Sequence, residues 1–199
     1  MKKFSILISR AILIEAENVD TDQIIPARFL KTTKKEGLGK YLFYNWRYDE
    51  KGNKKINIFN QTSTKKKKIL TGGKNFGTGS SREHAVWSLT DFGFKAVIAQ
   101  SFGDIFYNNS LKNGLLCIKL NERELKKIHN EVKINQEIEL NIDLENQTVS
   151  IEELKSIFKF DIDPFRKSRL LLGVDELGYI LSHEEKIREY EKKNYNQKT

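Results

Sequence analysis

Residues 72–85 read GGKNFGTGSSREHA, and they constrain the fold more than any other stretch of the chain. Four glycines, Gly72, Gly73, Gly77 and Gly79, fall within eight residues, so the backbone there can take φ > 0 and approach a ligand closely. The apolar pair Ile69 and Leu70 precedes the stretch. Ala85, Val86, Trp87 and Leu89 follow it at a spacing that suits a helix with one buried face. Ser80 or Ser81 is a natural N-cap, and Glu83 stands three residues after Ser80, as a capping box requires. The stretch therefore reads as strand, flexible loop and helix start.

A corner of this kind gathers free backbone amides at the positive end of a helix dipole, so it attracts a phosphate, a carboxylate or a developing oxyanion. Arg82 adds a cation whose planar fork matches a carboxylate, and the Ser80 and Ser81 hydroxyls can donate to an anion or, if activated, take a proton. The ligand implied is a small polyanion. Three familiar glycine-loop readings fail on the letters. Thr78 follows Gly77 where a P-loop needs Lys and then Ser or Thr, and Arg82 stands where a dinucleotide fingerprint starting at Gly77 needs a small residue. Ser80 is followed by Ser81 and Arg82, with no glycine two residues on, so there is no nucleophile elbow.

At 199 residues the chain is near the size of one domain and long enough to bury a sizeable core. The single Cys117 excludes an internal disulfide framework and cannot by itself ligate zinc or an iron–sulfur cluster. No apolar run nears the length that spans a bilayer, and the start MKKFSILISR lacks a cleavage site, so a cytoplasmic address and no membrane association are expected. The formal charge of +8 raises the question of a nucleic-acid partner. The lysines are spread along the chain apart from Lys65 to Lys68, and no nucleic-acid-binding pattern accompanies them, so no nucleic acid is expected.

Taken in order, Phe4 to Ile14 should form one strand or a bent pair. Asn18 to Pro26 (NVDTDQIIP) should form a tight turn with a short helix, since Asn18, Asp20, Thr21 and Asp22 are turn and cap formers. Lys31 to Gly39 reads as a mobile loop. The five aromatics between Tyr41 and Tyr48 suit a helix packed on the core, and residues 49–68 suit an exposed insertion. Strands at Lys95 to Ser101 and Leu115 to Leu120 flank a helix over Phe102 to Asn113, a pattern of an α/β unit with parallel pairing. Cys117 lies inside a strand as a small apolar side chain. Asn121 should cap a helix to Asn130, and the turn at Glu145 and Asn146 joins a hairpin of Glu137 to Leu144 and Gln147 to Ile151. A strand at Ser156 to Phe160 comes next. Asp163 and Pro164 open a helix with Pro at N1, Gly173 and Gly178 punctuate two short helices after it, and the charged residues 183–199 should fray.

These residues carry a family resemblance. GKNFGTGSSREHA is similar to the signature of the aconitase superfamily swivel domain. With NVDTDQIIP, YLFYNWRYDE at Tyr41 to Glu50 and IDPFRKSRLLLGVDELGYIL at Ile162 to Leu181, the chain resembles the small-subunit family of bacterial 3-isopropylmalate dehydratases over about Phe4 to Ser182. The resemblance implies one swivelling β/β/α domain over residues 1–182, with a mixed central sheet or barrel flanked by helices; the residues themselves support mixed α/β and no finer topology. It implies isomerisation of 2-isopropylmalate and 3-isopropylmalate through an alkene, in leucine biosynthesis. No cofactor is expected on this chain, because the family carries its four-iron four-sulfur cluster on a large subunit, the expected partner. A small dicarboxylate is the expected substrate.

Residue by residue, the resemblance makes Ser80 the catalytic base, places Ser81 and Arg82 at the substrate carboxylate, and gives the backbone at Gly77, Thr78 and Gly79 to the developing anion. Asp22, in the Thr-Asp-x-Ile element at Thr21 to Ile24, is carried over at the edge of the site; Gln23 stands where aconitase has His. Arg28 is a candidate second substrate-binding arginine, although its spacing differs from aconitase. Thr78 replaces the Cys of many relatives, a change expected to be tolerated where a backbone amide is what the loop needs. The family implies that the loop at Lys31 to Gly39 helps choose the substrate's side group. On local sequence alone Ser80 is equally a helix cap, and His84 is either its hydrogen-bond partner or a structural histidine. Other readings remain open: the small subunit of a neighbouring hydro-lyase acting on homoaconitate or a methylated malate, or a stand-alone dicarboxylate-binding module.

Overall fold

The computed structural model describes residues 2–195. Its elements run β1 (Ile6–Leu13), α1 (Thr21–Ile24), α2 (Tyr44–Arg47), β2 (Ile69–Thr71), α3 (Glu83–Phe92), β3 (Ala96–Ala99), α4 (Asp104–Lys112), β4 (Leu116–Lys119), α5 (Glu122–Ile134), β5 (Glu139–Asp143), β6 (Thr148–Ile151), β7 (Ser156–Lys159), α6 (Pro164–Leu172), α7 (Glu176–Leu181) and α8 (Glu184–Tyr195).

Seven strands form one mixed sheet in the order β4-β3-β2-β1-β5-β6-β7. The change of pairing happens within β1. Its first half, Ile6 to Arg10, runs antiparallel to β5, and its second half, Ala11 to Leu13, runs parallel to β2. From β2 the parallel order continues through β3 to β4, with α3 and α4 as the crossovers. Parallel strands covered on both faces are apolar throughout, and β2 and β3 are buried at every position. By contrast, β5 and β6 alternate buried and exposed residues, as one-sided antiparallel strands do.

The period of two sorts the parallel half into two cores. Ile12, Leu70, Val97 and Cys117 face a cluster that takes in α3 through Ala85, Val86 and Leu89. Ala11, Ile69, Ile98 and Ile118 face the opposite cluster, with Leu125, Ile128 and Val132 of α5 and the inner residues of the hairpin. The aromatic segment splits between roles. Phe43 is fully buried on the α3 side, whereas Tyr41, Tyr44 and Tyr48 are only half-buried and contact one another in a chain with Phe29.

Several boundaries differ from expectation, each for a local reason. The helix expected across Tyr41 to Tyr48 is one turn, α2, because Phe43 enters it at φ 48°, left-handed for a non-glycine residue. Residues 49–68 are not wholly exposed: Phe59 is buried against Phe43, and Thr64 is buried as well. Helix α5 is capped by Asn121 as expected, with Glu124 closing a capping box, and extends to Ile134 because Val132 adds a further core contact. Helix α6 has Asp163 as N-cap and Pro164 at N1, and ends at Gly173 with φ 73°. Gly178 punctuates nothing. It lies inside α7 and donates its N–H to Asp175, the N-cap of that helix. The charged C-terminal segment forms α8 as far as Tyr195, and residues 196–199 lie outside the described ones.

Candidate active site

The glycine loop leaves the C-terminal end of β2, where the parallel strands direct their crossovers. It is pinned rather than loose. Gly72 N–H donates to Ile98 O (2.9 Å), Phe76 N–H to Ser101 O (2.9 Å) and Gly103 N–H to Phe76 O (3.0 Å). The Phe76 ring is fully buried edge-on to Phe106. Gly77 has φ +73°, and a Cβ there would fall 2.2 Å from the Phe106 ring, so the glycine serves close approach as much as backbone freedom. Across from this loop, Asp20 caps α1: its carboxylate accepts from Gln23 N–H (2.7 Å), and the Gln23 side chain accepts in return from Asp20 N–H (3.0 Å). That reciprocal box accounts locally for Gln23.

The two segments are stitched together. Gly77 N–H donates to Val19 O (2.7 Å), and Thr21 N–H donates to Thr78 O (2.9 Å). The Gly77 amide is therefore spent on the scaffold and is not a donor to a substrate, a correction to the sequence expectation. The amides of Gly79, Ser80 and Ser81 make no hydrogen bond among the described residues. Ser80 and Ser81 are exposed, at the end of a segment whose Gly79 has φ +96°. The Thr21 hydroxyl donates to Ser80 O (3.1 Å) and lies 3.5 Å from Ser80 Oγ.

Neither serine caps α3. Arg82 is the N-cap and makes no side-chain cap bond, while its own N–H turns back to Ser80 O (2.8 Å). Glu83 closes no box either. It accepts from the Asn113 side chain (2.6 Å), because the tight turn at Ser80 to Arg82 starts the helix two residues later than the spacing suggested. The helix dipole and its first amides thus point toward the Ser80 corner without a capping side chain.

Arg82 meets Asp22 at 2.5 Å, joining the glycine-loop segment and the NVDTDQIIP segment in space. The hydrogen bond from Arg82 holds the Asp22 carboxyl below the usual carboxylate range; partial burial opposes it, and the Ala27 amide and the charges of Arg82 and Arg28 reinforce it. Asp22 thereby fixes the aim of Arg82. Arg28 lies farther out, held by Asn45 (2.7 Å) and sitting over the Phe29 and Tyr44 rings in a groove also lined by Tyr48 and Asp49.

His84 has no partnership with Ser80. Its Nε2 lies 2.7 Å from Thr32 O, so it carries a proton there, and its ring packs on Trp87 at 4.6 Å. Two features were missed at sequence level. Thr21 had read only as a turn former, yet its hydroxyl braces Ser80. Arg47 is buried and bonds the carbonyls of Gly39, Lys40 and Leu42, a structural role that the aromatic string around it concealed. Cys117 is buried in β4, its thiol pushed up to about 12 by burial. No group of three or more His, Cys, Asp or Glu among the described residues could hold a metal ion.

Residues 1–123 match the family described as the aconitase C-terminal domain. The 3-isopropylmalate dehydratase small subunit of Lactococcus lactis subsp. lactis is 47% identical over 98% of this chain and 100% of its own length. That of Pelagibacter ubique is 46% identical over 100% and 96%. The crystal structure of 3-isopropylmalate dehydratase from Methanocaldococcus jannaschii matches with TM-score 0.66 and 29% identity, covering 94% of this chain and 99% of that one. The chain belongs to the 3-isopropylmalate dehydratase small-subunit family of the aconitase superfamily. No helix among the described residues is long and apolar enough to cross a membrane.

Proposed function

We propose that this chain is the small subunit of a two-subunit hydro-lyase that interconverts 2-isopropylmalate and 3-isopropylmalate by removing and re-adding water, in leucine biosynthesis. The reaction takes a proton from a carbon beside a carboxylate and expels a hydroxyl from its neighbour. Ser80 is the proton acceptor and donor. A serine hydroxyl is too weak an acid to act unaided, so the positive potential of the unspent Gly79, Ser80 and Ser81 amides, the α3 N-terminus and Arg82 must support its ionised form.

Arg82 and the Ser81 hydroxyl receive a substrate carboxylate, with Asp22 holding the guanidinium in place before substrate arrives. Thr78 and Gly79 supply backbone to the same anion, and Arg28 a more distant cation. A four-iron four-sulfur cluster on the partner large subunit would supply Lewis-acid chemistry toward the departing hydroxyl; among the described residues of this chain no group of three or more His, Cys, Asp or Glu could hold a metal ion. The exposure of Ser80 and Ser81 accords with a site completed by that partner across an interface.

The observation that carries this reading is the Arg82–Asp22 ion pair next to Ser80, whose carbonyl accepts from the Arg82 amide, at the end of a helix with no capping side chain. Co-expression with a large subunit of the same family should restore growth to a leucine auxotroph, and the purified pair should prefer isopropylmalates over homoaconitate and methylated malates. A pair that turned over one of the latter and left the isopropylmalates untouched would place the chain in a neighbouring hydro-lyase; dicarboxylate binding by the isolated chain with no turnover by any pair would make it a binding module.

A further inference from the structure

The segment Lys31 to Gly39 is tied along α3 at three points, the middle one through the Trp87 ring and Asn113 at the end of α4. At its start, His84 Nε2 donates to Thr32 O (2.7 Å). In its middle, Lys35 Nζ donates to Asn113 Oδ1 (3.0 Å), the same oxygen that accepts Trp87 Nε1 (3.1 Å), and Lys35 lies over the Trp87 ring. At its end, Gly39 N–H donates to Asp91 Oδ2 (2.7 Å), and a Cβ on Gly39 would sit 2.6 Å from Phe92 N. His84, Trp87 and Asp91 are spaced by three and four residues, so they form one stripe along α3. That helix begins at Arg82. One rigid element therefore carries the arginine aimed by Asp22 at one end and fixes the loop along its side.

We infer that His84 is a positioning residue that latches the 31–39 loop beside the substrate corner, and that it takes no part in proton transfer. The geometry argues against the rival role. The proton on Nε2 is committed to a carbonyl of the loop, and the ring is packed on Trp87. Loss of this contact frees a loop anchored two residues from Arg82, the arginine read as receiving the substrate carboxylate, which weakens binding while leaving the proton acceptor where it was.

The inference rests on the isomerase reading only for its kinetic arm. Hydrogen exchange on the isolated subunit tests the latch alone: His84→Ala should speed amide exchange within 31–39 by about 3- to 10-fold, the weight of one hydrogen bond. His84→Gln, which keeps an N–H donor, should recover part of that protection. Lys35→Ala, on the exposed loop itself, should speed exchange in the same segment while leaving every residue of α3 in place. In the assembled enzyme His84→Ala should raise KM by about 3- to 10-fold with kcat within about twofold. Unchanged exchange in 31–39 for both alanine variants overturns the latch. So does a kcat loss of about 100-fold or more at unchanged KM, which would put His84 in the chemistry. If the wild-type pair has no isomerase activity, the proposed function fails and the exchange result still decides the latch.

Discussion

Replacing Gly77 with Ala probes the join between the loop and its scaffold. The new methyl would lie 2.2 to 2.6 Å from three atoms of the Phe106 ring, well inside contact distance. Phe106 cannot retreat easily: it is 3% exposed and wedged between Phe76 and Phe102. Overpacking of this kind costs about 1 to 3 kcal/mol. The left-handed backbone at φ +73° adds about 1 to 2 kcal/mol for a residue with a Cβ. The total, about 2 to 5 kcal/mol, is a large share of the roughly 5 to 15 kcal/mol that holds a domain folded.

With a urea m-value of about 2 to 3 kcal/mol/M, the midpoint for the isolated subunit should fall by about 0.7 to 2.5 M. Gly79→Ala is the control. Its Cβ would be 3.3 Å from Thr21 Oγ1 at φ +96°, so backbone strain of about 1 to 2 kcal/mol remains without the ring collision. Equal midpoints for the two variants would show that Phe106 yields freely and that close packing does not select glycine at position 77.

Ser80→Ala should leave stability within about 0.5 kcal/mol, because Ser80 caps nothing, while kcat of the assembled enzyme falls by about 10²- to 10⁴-fold; chemical denaturation and turnover measured on one preparation check both. Asp22→Asn should weaken substrate binding through Arg82, seen as a raised KM. Because the folded pKa of Asp22 is lowered, its ion pair contributes above the unfolded value of about 3.9 and is lost as pH falls through the lower folded value. The stability gap between wild type and Asp22→Asn should therefore close on acidification; with the Asp22 side chain 53% exposed it should not exceed about 1 kcal/mol at neutral pH. Cys117, with its thiol near 12, should resist alkylation at pH 8 in the folded chain and react once urea exposes it, as mass spectrometry of iodoacetamide-treated samples would show.

Much of the fold was written in local patterns that need only neighbours to act. The parallel strands are short apolar runs, the hairpin alternates, and Asn121 and Asp163 cap as their letters suggest. What failed were readings in which a distant residue competes with a local one. Ser80 and Glu83 satisfy the capping-box spacing, yet Thr21, 59 positions away from Ser80, and Asn113, 30 away from Glu83, claim them instead. The Gly77 amide was expected to be free, and Val19 takes it. Ser80 and Arg82 stand out in the sequence as an anion-binding corner and Asp22 by family likeness, but that Asp22 grips Arg82 requires two segments 60 residues apart to be placed in space. No periodicity in the sequence encodes that distance, nor the attachment of His84 to Thr32.

Strand β1 lies at the seam of the sheet, paired on one side with β2 and on the other with β5, whose Leu140 faces Ser9. During synthesis its second half finds a neighbour once residues near 70 emerge, whereas its first half waits until residues near 140 have left the ribosome. Over that interval Ile6 to Arg10 presents an open edge, the kind of surface that recruits foreign strands or chaperones. The last third of the chain, remote from the substrate corner in sequence, thus supplies the strand that covers this edge.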